Sequence, residues 1–242
     1  MNIALIFPGQ GSQYIGMGKD FFDNSEASKQ IFNNLDETMG LKLSELIFNG
    51  SEEELSKTTN SQPAIMSLSV AILKEINARG LLDGKKIHSV AGHSLGEYSA
   101  LVANNSLRFE DSVKLLIVRS EAMQKSMPIG TGGMAAVLGQ SEEETLITIE
   151  KLKSHGKLFI ANDNANGQIV LSGEIKAIDY LCENVKKLGA KRAIKLPVSA
   201  PFHCELINEA SLILEKELEN YSFNEFLYPL YSNVTAEKSD LN

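Results

Sequence analysis

The segment around Ser94 has the residue types and spacing of a serine nucleophile on a sharp turn. Residues 92–96 read Gly-His-Ser-Leu-Gly and follow a short apolar run at residues 88–91. Small residues two before and two after the serine let a strand and the following helix cross closely, which lifts the hydroxyl clear of the sheet. The pattern predicts covalent catalysis by Ser94, with an ordinary glycine turn and a capping serine as the alternative.

A serine nucleophile needs a general base, and the chain contains four histidines. His88 and His93 lie in the predicted strand and beside the serine, where neither faces its hydroxyl well. His155 ends a predicted helix, and interaction with the helix dipole is its simpler explanation. His203 follows the serine in chain order, as strand-turn-helix serine enzymes require, and the alternative is a polar residue at a helix start.

No carboxylate is well placed to orient His203. Asp111, Asp163 and Asp179 lie between the serine and the histidine, but none follows an obvious strand of the main sheet. We therefore expect a serine–histidine dyad whose imidazole is held by a neutral carbonyl oxygen.

Two backbone N–H groups are candidates for an oxyanion hole. The N–H of Leu95 lies at the start of the helix that follows Ser94. Gln10 lies in a glycine loop, residues 8–13, after the first apolar run, and it can supply the second donor from a neighbouring strand. This loop lacks the lysine pattern of a nucleotide-binding loop, so a plain tight turn is the other interpretation.

Arg119 is a charged residue in an otherwise apolar stretch of predicted helix. It follows four consecutive apolar residues, 115–118, so its guanidinium must find a partner or reach water. One interpretation is a pair with Glu121 or Asp111. The other is a guanidinium kept for a carboxylate ligand, which it would bind through two parallel hydrogen bonds.

The elements that must position these residues indicate a mixed α/β protein. An apolar run at residues 2–7 predicts a buried strand before the glycine loop, and helical patterns cover residues 62–79, 96–104 and 110–126. After a glycine-rich segment, the order β-α-β-β-α-β is that of a ferredoxin-like unit. We expect an α/β-hydrolase-like large subdomain from residues 1–128 and 197–242, with a ferredoxin-like insert at residues 129–196.

Composition excludes several classes of protein. The 242 residues are 43% hydrophobic and 22% charged, as in globular proteins, and the net charge of −8 disfavours a nucleic-acid partner. No apolar run approaches the roughly 18 residues of a membrane helix, and the first residues do not resemble a signal peptide. Two cysteines favour reduced thiols. We therefore expect a cytoplasmic protein with no membrane partner.

Four segments together resemble the malonyl-CoA:acyl-carrier-protein transacylases of bacterial fatty-acid synthesis, and the match covers essentially the whole chain. They are the opening loop at residues 7–13, the turn at 92–98, the segment at 130–137 and the histidine loop at 199–203. The acyltransferase modules of polyketide synthases share the same four segments. The resemblance is therefore to a superfamily, within which the transacylases match best.

The resemblance implies a role for each candidate residue. Ser94 would be the nucleophile and His203 its base, Gln10 and Leu95 would form the oxyanion hole, and Arg119 would bind the free carboxylate of a malonyl group. The implied reaction moves malonyl from coenzyme A to the phosphopantetheine thiol of acyl carrier protein, without a metal or tightly held cofactor. The alternatives are a serine (thio)esterase, a polyketide-type acyltransferase, and an inactive chain that still docks the carrier.

Further residues are expected to contact the substrate or the carrier. Asn162 and Asn164, in a predicted loop, match positions near the family's substrate cleft, with turn formation as the alternative. Phe202 precedes the histidine as in family members that take malonyl units. Lys191 and Arg192 belong to a basic cluster that could attract an acidic carrier, or could simply be a solvated face.

The end of the chain departs from the family pattern. Family members continue beyond this point, with a further strand and helix and the glutamine whose carbonyl orients the histidine. We therefore expect Asn242 to be a truncation.

Overall fold

The structure is a computed structural model that describes residues 1–198 and 200–239. These residues form two compact units, and each is described by itself below. The first comprises Met1–Ser120 and the described residues from Glu217 onward, and the second comprises Glu121–Lys216. Ser199, the first residue of the predicted histidine loop, lies outside the described residues.

Strands and helices alternate irregularly along the chain. The strands are β1 (Asn2–Phe7), β2 (Lys86–Gly92), β3 (Gly132–Leu138), β4 (Leu158–Ala165), β5 (Gln168–Glu174), β6 (Arg192–Lys195), β7 (Leu230–Tyr231) and β8 (Lys238–Ser239). The helices are α1 (Lys19–Asn24), α2 (Glu26–Met39), α3 (Leu43–Asn49), α4 (Glu52–Ser56), α5 (Thr58–Ala78), α6 (Gly96–Ala103), α7 (Phe109–Lys125), α8 (Glu142–Leu152), α9 (Ile175–Asn184) and α10 (Asn208–Leu218). The predicted mixed α/β class is confirmed.

The first unit contains a four-stranded sheet in the order β1-β2-β7-β8. The strands β1, β2 and β7 are parallel, and β8 returns antiparallel to β7. Because parallel strands end at the same edge of a sheet, the segments that follow β1, β2 and β7 are all placed at one edge. In open α/β sheets this edge is the usual location of a ligand site.

The helices of the first unit bury apolar faces against one another and against the sheet. In α2, Phe32 and Leu35 are fully buried, at helical spacing with Ile31. Phe22, Phe32 and Phe48 form an aromatic cluster with ring centroids 5.1–6.0 Å apart. This packing holds α1, α2 and α3 against one another.

The second unit contains an antiparallel sheet in the order β4-β5-β3-β6, and its elements follow as β3-α8-β4-β5-α9-β6. The helix α8 begins with a capping box, in which the Ser141 hydroxyl accepts from the Glu144 N–H and the Glu144 carboxylate accepts from the Ser141 N–H. The helix α9 buries Ala177, Ile178 and Leu181. The spacing of Ser141 and Glu144, S-x-x-E, is a sequence signal for this helix start.

The sequence-based prediction of a loop at Asn162 and Asn164 is wrong. Both lie in β4, where Asn162 pairs with Val170 of β5. Asparagine favours turns, but two register shifts in β4 accommodate this segment beside the regular partner β5. The turn is confined to the residues between Ala165 and Gln168.

Candidate active site

Ser94 lies on a tight turn between β2 and α6. Its backbone φ is 54°, a left-handed conformation that is uncommon for a residue with a side chain. A Cβ at Gly92 would lie 2.0 Å from the carbonyl carbon of Gly96, and one at Gly96 would lie 2.5 Å from the carbonyl oxygen of Phe7. Both glycines are therefore required where strand and helix cross, as the spacing predicted.

The loop after β1 packs directly against this turn. The His93 N–H donates to the Phe7 carbonyl at 3.0 Å, and a Cβ at Gly9 would lie 2.6 Å from the carbonyl oxygen of His93. The side chain of Gln10 donates from Nε2 to Oγ1 of Thr58 at 3.4 Å. Gly9, which precedes Gln10, therefore lies in contact with His93, which precedes Ser94.

Leu95 is the N-cap residue of α6, and its side chain is fully buried. The first N–H groups of a helix have no acceptor within the helix and carry the positive end of its dipole. The Leu95 N–H follows Ser94 directly, which suits it to a negative charge developing beside the serine hydroxyl.

Arg119 is buried, with 9% of its surface exposed, and it reaches the serine. Its guanidinium donates from Nη2 to Oγ of Ser94 at 3.0 Å and from Nη1 to Oε1 of Gln62 at 2.7 Å. The Tyr98 ring centroid lies 5.8 Å from the guanidinium carbon. Neither Ser94 nor Gln62 is charged, so the positive charge of Arg119 is still available to bind a carboxylate group beside Ser94.

The alternative partners proposed for Arg119 are engaged elsewhere. The carboxylate of Asp111 accepts from Nε of Arg108 at 2.7 Å, and that of Glu121 accepts from Nζ of Lys125 at 2.8 Å. Asp111 and Glu121 are therefore each paired with an exposed cationic side chain three or four residues away in sequence.

Burial dominates the electrostatics around the guanidinium. Burial lowers the pKa of Arg119, while Tyr98 and Glu97 act in the opposite direction. Burial also raises the pKa of the Glu97 carboxyl, and the Asn233 N–H and Arg119 oppose this shift. A guanidinium that has lost its hydration gains more from binding a carboxylate than an exposed one does.

Sequence reasoning missed two residues of this site, Gln62 and Asn233. Gln62 is 1% exposed and fixes the guanidinium from α5. Asn233 lies after β7, and its Oδ1 accepts from the Ser94 N–H at 2.6 Å. For Gln62 the available signal was a polar residue opening an apolar helical pattern. For Asn233 it was a polar residue just after residues 228–232, where the sequence predicts a short strand.

The second unit carries the other predicted residues. His203 has a left-handed φ of 58°, and Phe202 is buried, with 4% exposed, in a cluster that includes Met134 and Ile207. Pro201, in the same loop, lies against Gly132, where a Cβ would approach its ring to 2.4 Å. This loop is thus anchored on the start of β3.

The asparagines and the basic residues differ in their exposure. Asn162 is half-buried and Asn164 exposed in β4, while Lys191 and Arg192 are exposed at the start of β6. The nearby Lys195 is paired with Asp179 at 2.5 Å. Lys191 and Arg192 are therefore accessible to a partner.

The described residues also include two thiols outside the Ser94 turn. Across residues 1–198 and 200–239, no group of three or more His, Cys, Asp or Glu side chains could hold a metal ion. Cys182 and Cys204 are free thiols, and burial raises the pKa of each, which lowers their nucleophilicity. Within the same described ranges, no helix is long and apolar enough to cross a membrane.

Comparisons with known proteins identify the family to which the chain is similar. The sequence matches the acyl transferase domain family over residues 4–241. The malonyl CoA-acyl carrier protein transacylase of Bacillus subtilis (strain 168) is 44% identical over 244 residues, which cover 99% of this chain and 76% of that relative. The crystal structure of the transacylase of that name from Clostridium perfringens is 44% identical with a TM-score of 0.90, covering 99% of this chain and 74% of that one.

A further solved structure contains a carrier protein. It is a malonyl-transacylase in complex with a type II polyketide synthase acyl-carrier protein, 36% identical with a TM-score of 0.93. The match covers 100% of this chain and 77% of that one.

Proposed function

The chain belongs to the acyl transferase domain family, and we propose that it performs the chemistry of that family through a covalent malonyl-Ser94 intermediate. The enzyme transfers a malonyl group from coenzyme A to acyl carrier protein in fatty acid synthesis, the activity for which its relatives are named. The observation that carries the proposal is a buried guanidinium 3.0 Å from the nucleophile hydroxyl.

Arg119 selects the malonyl group. The two oxygens of a carboxylate match two guanidinium N–H groups, and a buried site makes this interaction strong. Gln62 holds one edge of the guanidinium, so the edge that now meets Ser94 is the one offered to the substrate. An acetyl group has no carboxylate and would gain nothing from Arg119.

His203 serves as the general base in the proposed mechanism. It takes the proton from Oγ of Ser94 as that oxygen attacks the thioester carbonyl carbon. The N–H groups of Gln10 and Leu95 stabilise the oxyanion, which collapses to expel the coenzyme A thiolate, and the imidazolium returns its proton to that sulfur. In the second half of the reaction, His203 takes the proton of the carrier's phosphopantetheine thiol as its sulfur attacks the malonyl-Ser94 ester. The Ser94 oxygen then leaves and receives that proton.

The remaining predicted residues have supporting roles in the proposal. Asn162 and Asn164 contact the substrate from β4, and the Phe202 ring fills the space that an α-methyl group would occupy. Lys191 and Arg192 attract the acidic carrier, and their exposure supports this role. No cofactor or nucleic acid takes part in the reaction as proposed.

We further propose the subdomain arrangement and location expected from the sequence. The large subdomain, residues 1–128 and 197–242, is α/β-hydrolase-like, and the ferredoxin-like insert covers residues 129–196. The sheet order β4-β5-β3-β6 and the β-α-β-β-α-β element order support the second assignment. The absence of a spanning helix in the described ranges is compatible with a cytoplasmic location.

Intact-mass analysis tests the function. After mixing with malonyl-CoA, the chain should carry one malonyl adduct that persists in buffer and disappears when holo acyl carrier protein is added. Ser94→Ala should carry none at an unchanged melting temperature. Malonate released at every turnover without a carrier would identify a hydrolase and contradict the proposal.

A further inference from the structure

Asn233 connects the two sides of the turn that carries the nucleophile. Its side-chain Oδ1 accepts a hydrogen bond from the Ser94 N–H at 2.6 Å. Its own backbone N–H donates to Oε2 of Glu97 at 3.3 Å, and Glu97 lies in the first turn of α6. Asn233, in the segment that follows β7, thus forms hydrogen bonds both with Ser94 and with Glu97 of α6.

We propose that Asn233 is a positioning residue for the nucleophile, holding the Ser94 backbone so that its hydroxyl keeps the geometry needed for acyl transfer. The inference rests on the proposed function, since it assumes that Ser94 is the residue that becomes acylated.

The Ser94 backbone needs such a restraint because its conformation is intrinsically unfavourable. A non-glycine residue at a φ of 54° persists only where its surroundings determine it. The Ser94 carbonyl is held by the Glu97 N–H at 3.1 Å, and the neighbouring His93 N–H is held by Phe7. The Asn233 carboxamide restrains the remaining backbone group of Ser94, its N–H, with a short bond.

The segment that presents Asn233 has a shape that does not depend on the Asn233 side chain. The Ser232 N–H donates to the Glu237 carbonyl at 2.9 Å, and the Ala236 N–H donates to the Ser232 carbonyl at 2.9 Å. The Val234 N–H donates to Oγ of Ser232 at 3.2 Å. Removing the carboxamide should therefore leave this turn folded and affect the Ser94 turn alone.

The expected defect is in rate rather than in substrate affinity. Arg119 is held by Gln62 of α5, far in sequence from the segment that presents Asn233, so the malonyl carboxylate should still bind. A nucleophile displaced by a fraction of an ångström reacts more slowly even when the substrate is bound normally. A lower acylation rate with unchanged substrate binding distinguishes a positioning role from general destabilisation.

The test compares Asn233→Ala with two matched variants in single-turnover acylation by malonyl-CoA. Asn233→Asp keeps an acceptor oxygen at the same place and should retain most of the rate. Val234→Ala alters a side chain that is 93% exposed in the same turn and should match the parent chain. Asn233→Ala should lose about tenfold in the maximal acylation rate, the size of one lost hydrogen bond, at an unchanged half-saturating malonyl-CoA concentration.

A second measurement is independent of activity. In the parent chain the Ser94 amide proton should be protected from exchange and shifted downfield in the NMR spectrum, and both properties should be lost in Asn233→Ala. A parental acylation rate in Asn233→Ala overturns the inference, and so does an unprotected Ser94 amide in the parent chain, even if the variant fails to fold. A parent chain that forms no adduct contradicts the proposed function instead, while the amide measurement still decides the role of Asn233.

Discussion

At the scale of single residues, the role that we propose for Arg119 is to separate a malonyl transferase from a general acyl transferase. Its guanidinium is buried, and it contacts the nucleophile and Gln62 rather than a carboxylate of its own helix. Removing one partner of a buried charge pair costs about 2–5 kcal/mol, and about 1.4 kcal/mol corresponds to a factor of ten. The identity of one side chain can therefore decide the substrate.

Arg119→Ala should lose malonyl loading by roughly 30-fold to several thousand-fold while retaining acetyl loading. Arg119→Lys should restore only part of the preference, because an ammonium group cannot form two parallel bonds. The measurement is kcat/KM for Ser94 acylation by malonyl-CoA and by acetyl-CoA. Arg108→Ala, which removes an exposed arginine near the start of the same helix, is the control. Equal losses for both substrates in Arg119→Ala would make the arginine structural.

Glu97 should make stability depend on pH. Burial raises the pKa of its carboxyl above the ordinary value, so the folded state binds a proton more tightly than the unfolded state. This contribution to stability is complete below the unfolded pKa and is lost as the pH rises through the folded pKa. Glu97→Gln keeps an oxygen for the Asn233 N–H and removes the titration.

Urea unfolding at several pH values between acid and neutral checks this prediction. The free energy of unfolding of the parent chain should fall relative to that of Glu97→Gln as the pH rises across this window. Glu150→Gln, which changes an exposed carboxylate, should follow the parent chain. A constant difference between the parent chain and Glu97→Gln would show that the carboxyl titrates normally.

At the scale of elements, the predictable parts were those that neighbouring residues determine. The strand β1, the helix start at Ser141 and the turn at Ser94 follow from an apolar run, a capping box and two glycines within short segments. The expected burial of β1 is wrong, because β1 lies at the edge of the sheet and only Phe7 is buried. The last part of β4, from Asn162 onward, was mispredicted as a loop because its extended shape depends on pairing with β5, which overrides the turn preference of Asn162. Gln62 and Asn233 were missed because their roles arise from contacts with distant parts of the chain.

Gly92→Ala should disrupt the crossing of β2 and α6. Its Cβ would lie 2.0 Å from the backbone carbon of Gly96, a contact that no side-chain rotation relieves. We expect a loss of about 3 kcal/mol or more in the free energy of unfolding, together with loss of acylation. Gly133→Ala is the control, because its Cβ would meet only side-chain atoms, the flexible end of Ile175 at 3.0 Å and a methyl group of Ile178 at 3.9 Å. Chemical denaturation of both variants decides the matter, and equal stabilities would contradict the crossing argument.

At the scale of the whole molecule, charge opposes the association with an acidic carrier. The net charge of the chain is −8, so attraction must come from a local basic surface. Lys191 and Arg192 are exposed at the start of β6, while the nearby Lys195 is paired. A small number of side chains must then supply the steering.

Lys191→Glu with Arg192→Glu should slow malonyl transfer to the carrier and weaken its salt dependence, because steering acts on the association rate. Acylation by malonyl-CoA should be unaffected. Lys151→Glu with Lys176→Glu applies the same change of charge at exposed positions of the second unit and is the control. Stopped-flow transfer at low and high salt measures the effect, and equal slowing by both pairs would point to net charge rather than docking.

The pairing of β2 with β7 also bears on how the protein is made. The acceptor of the Ser94 N–H lies 139 residues further along the chain, so the ribosome must synthesise Asn233 before the nucleophile turn can take its final form. Closing so long a loop costs conformational entropy, and this cost is offset only when β7 pairs with β2. During translation, the Ser94 turn therefore lacks this restraint until nearly the whole described chain has emerged. Its maturation is a late folding event, coupled to the addition of β7 to the sheet.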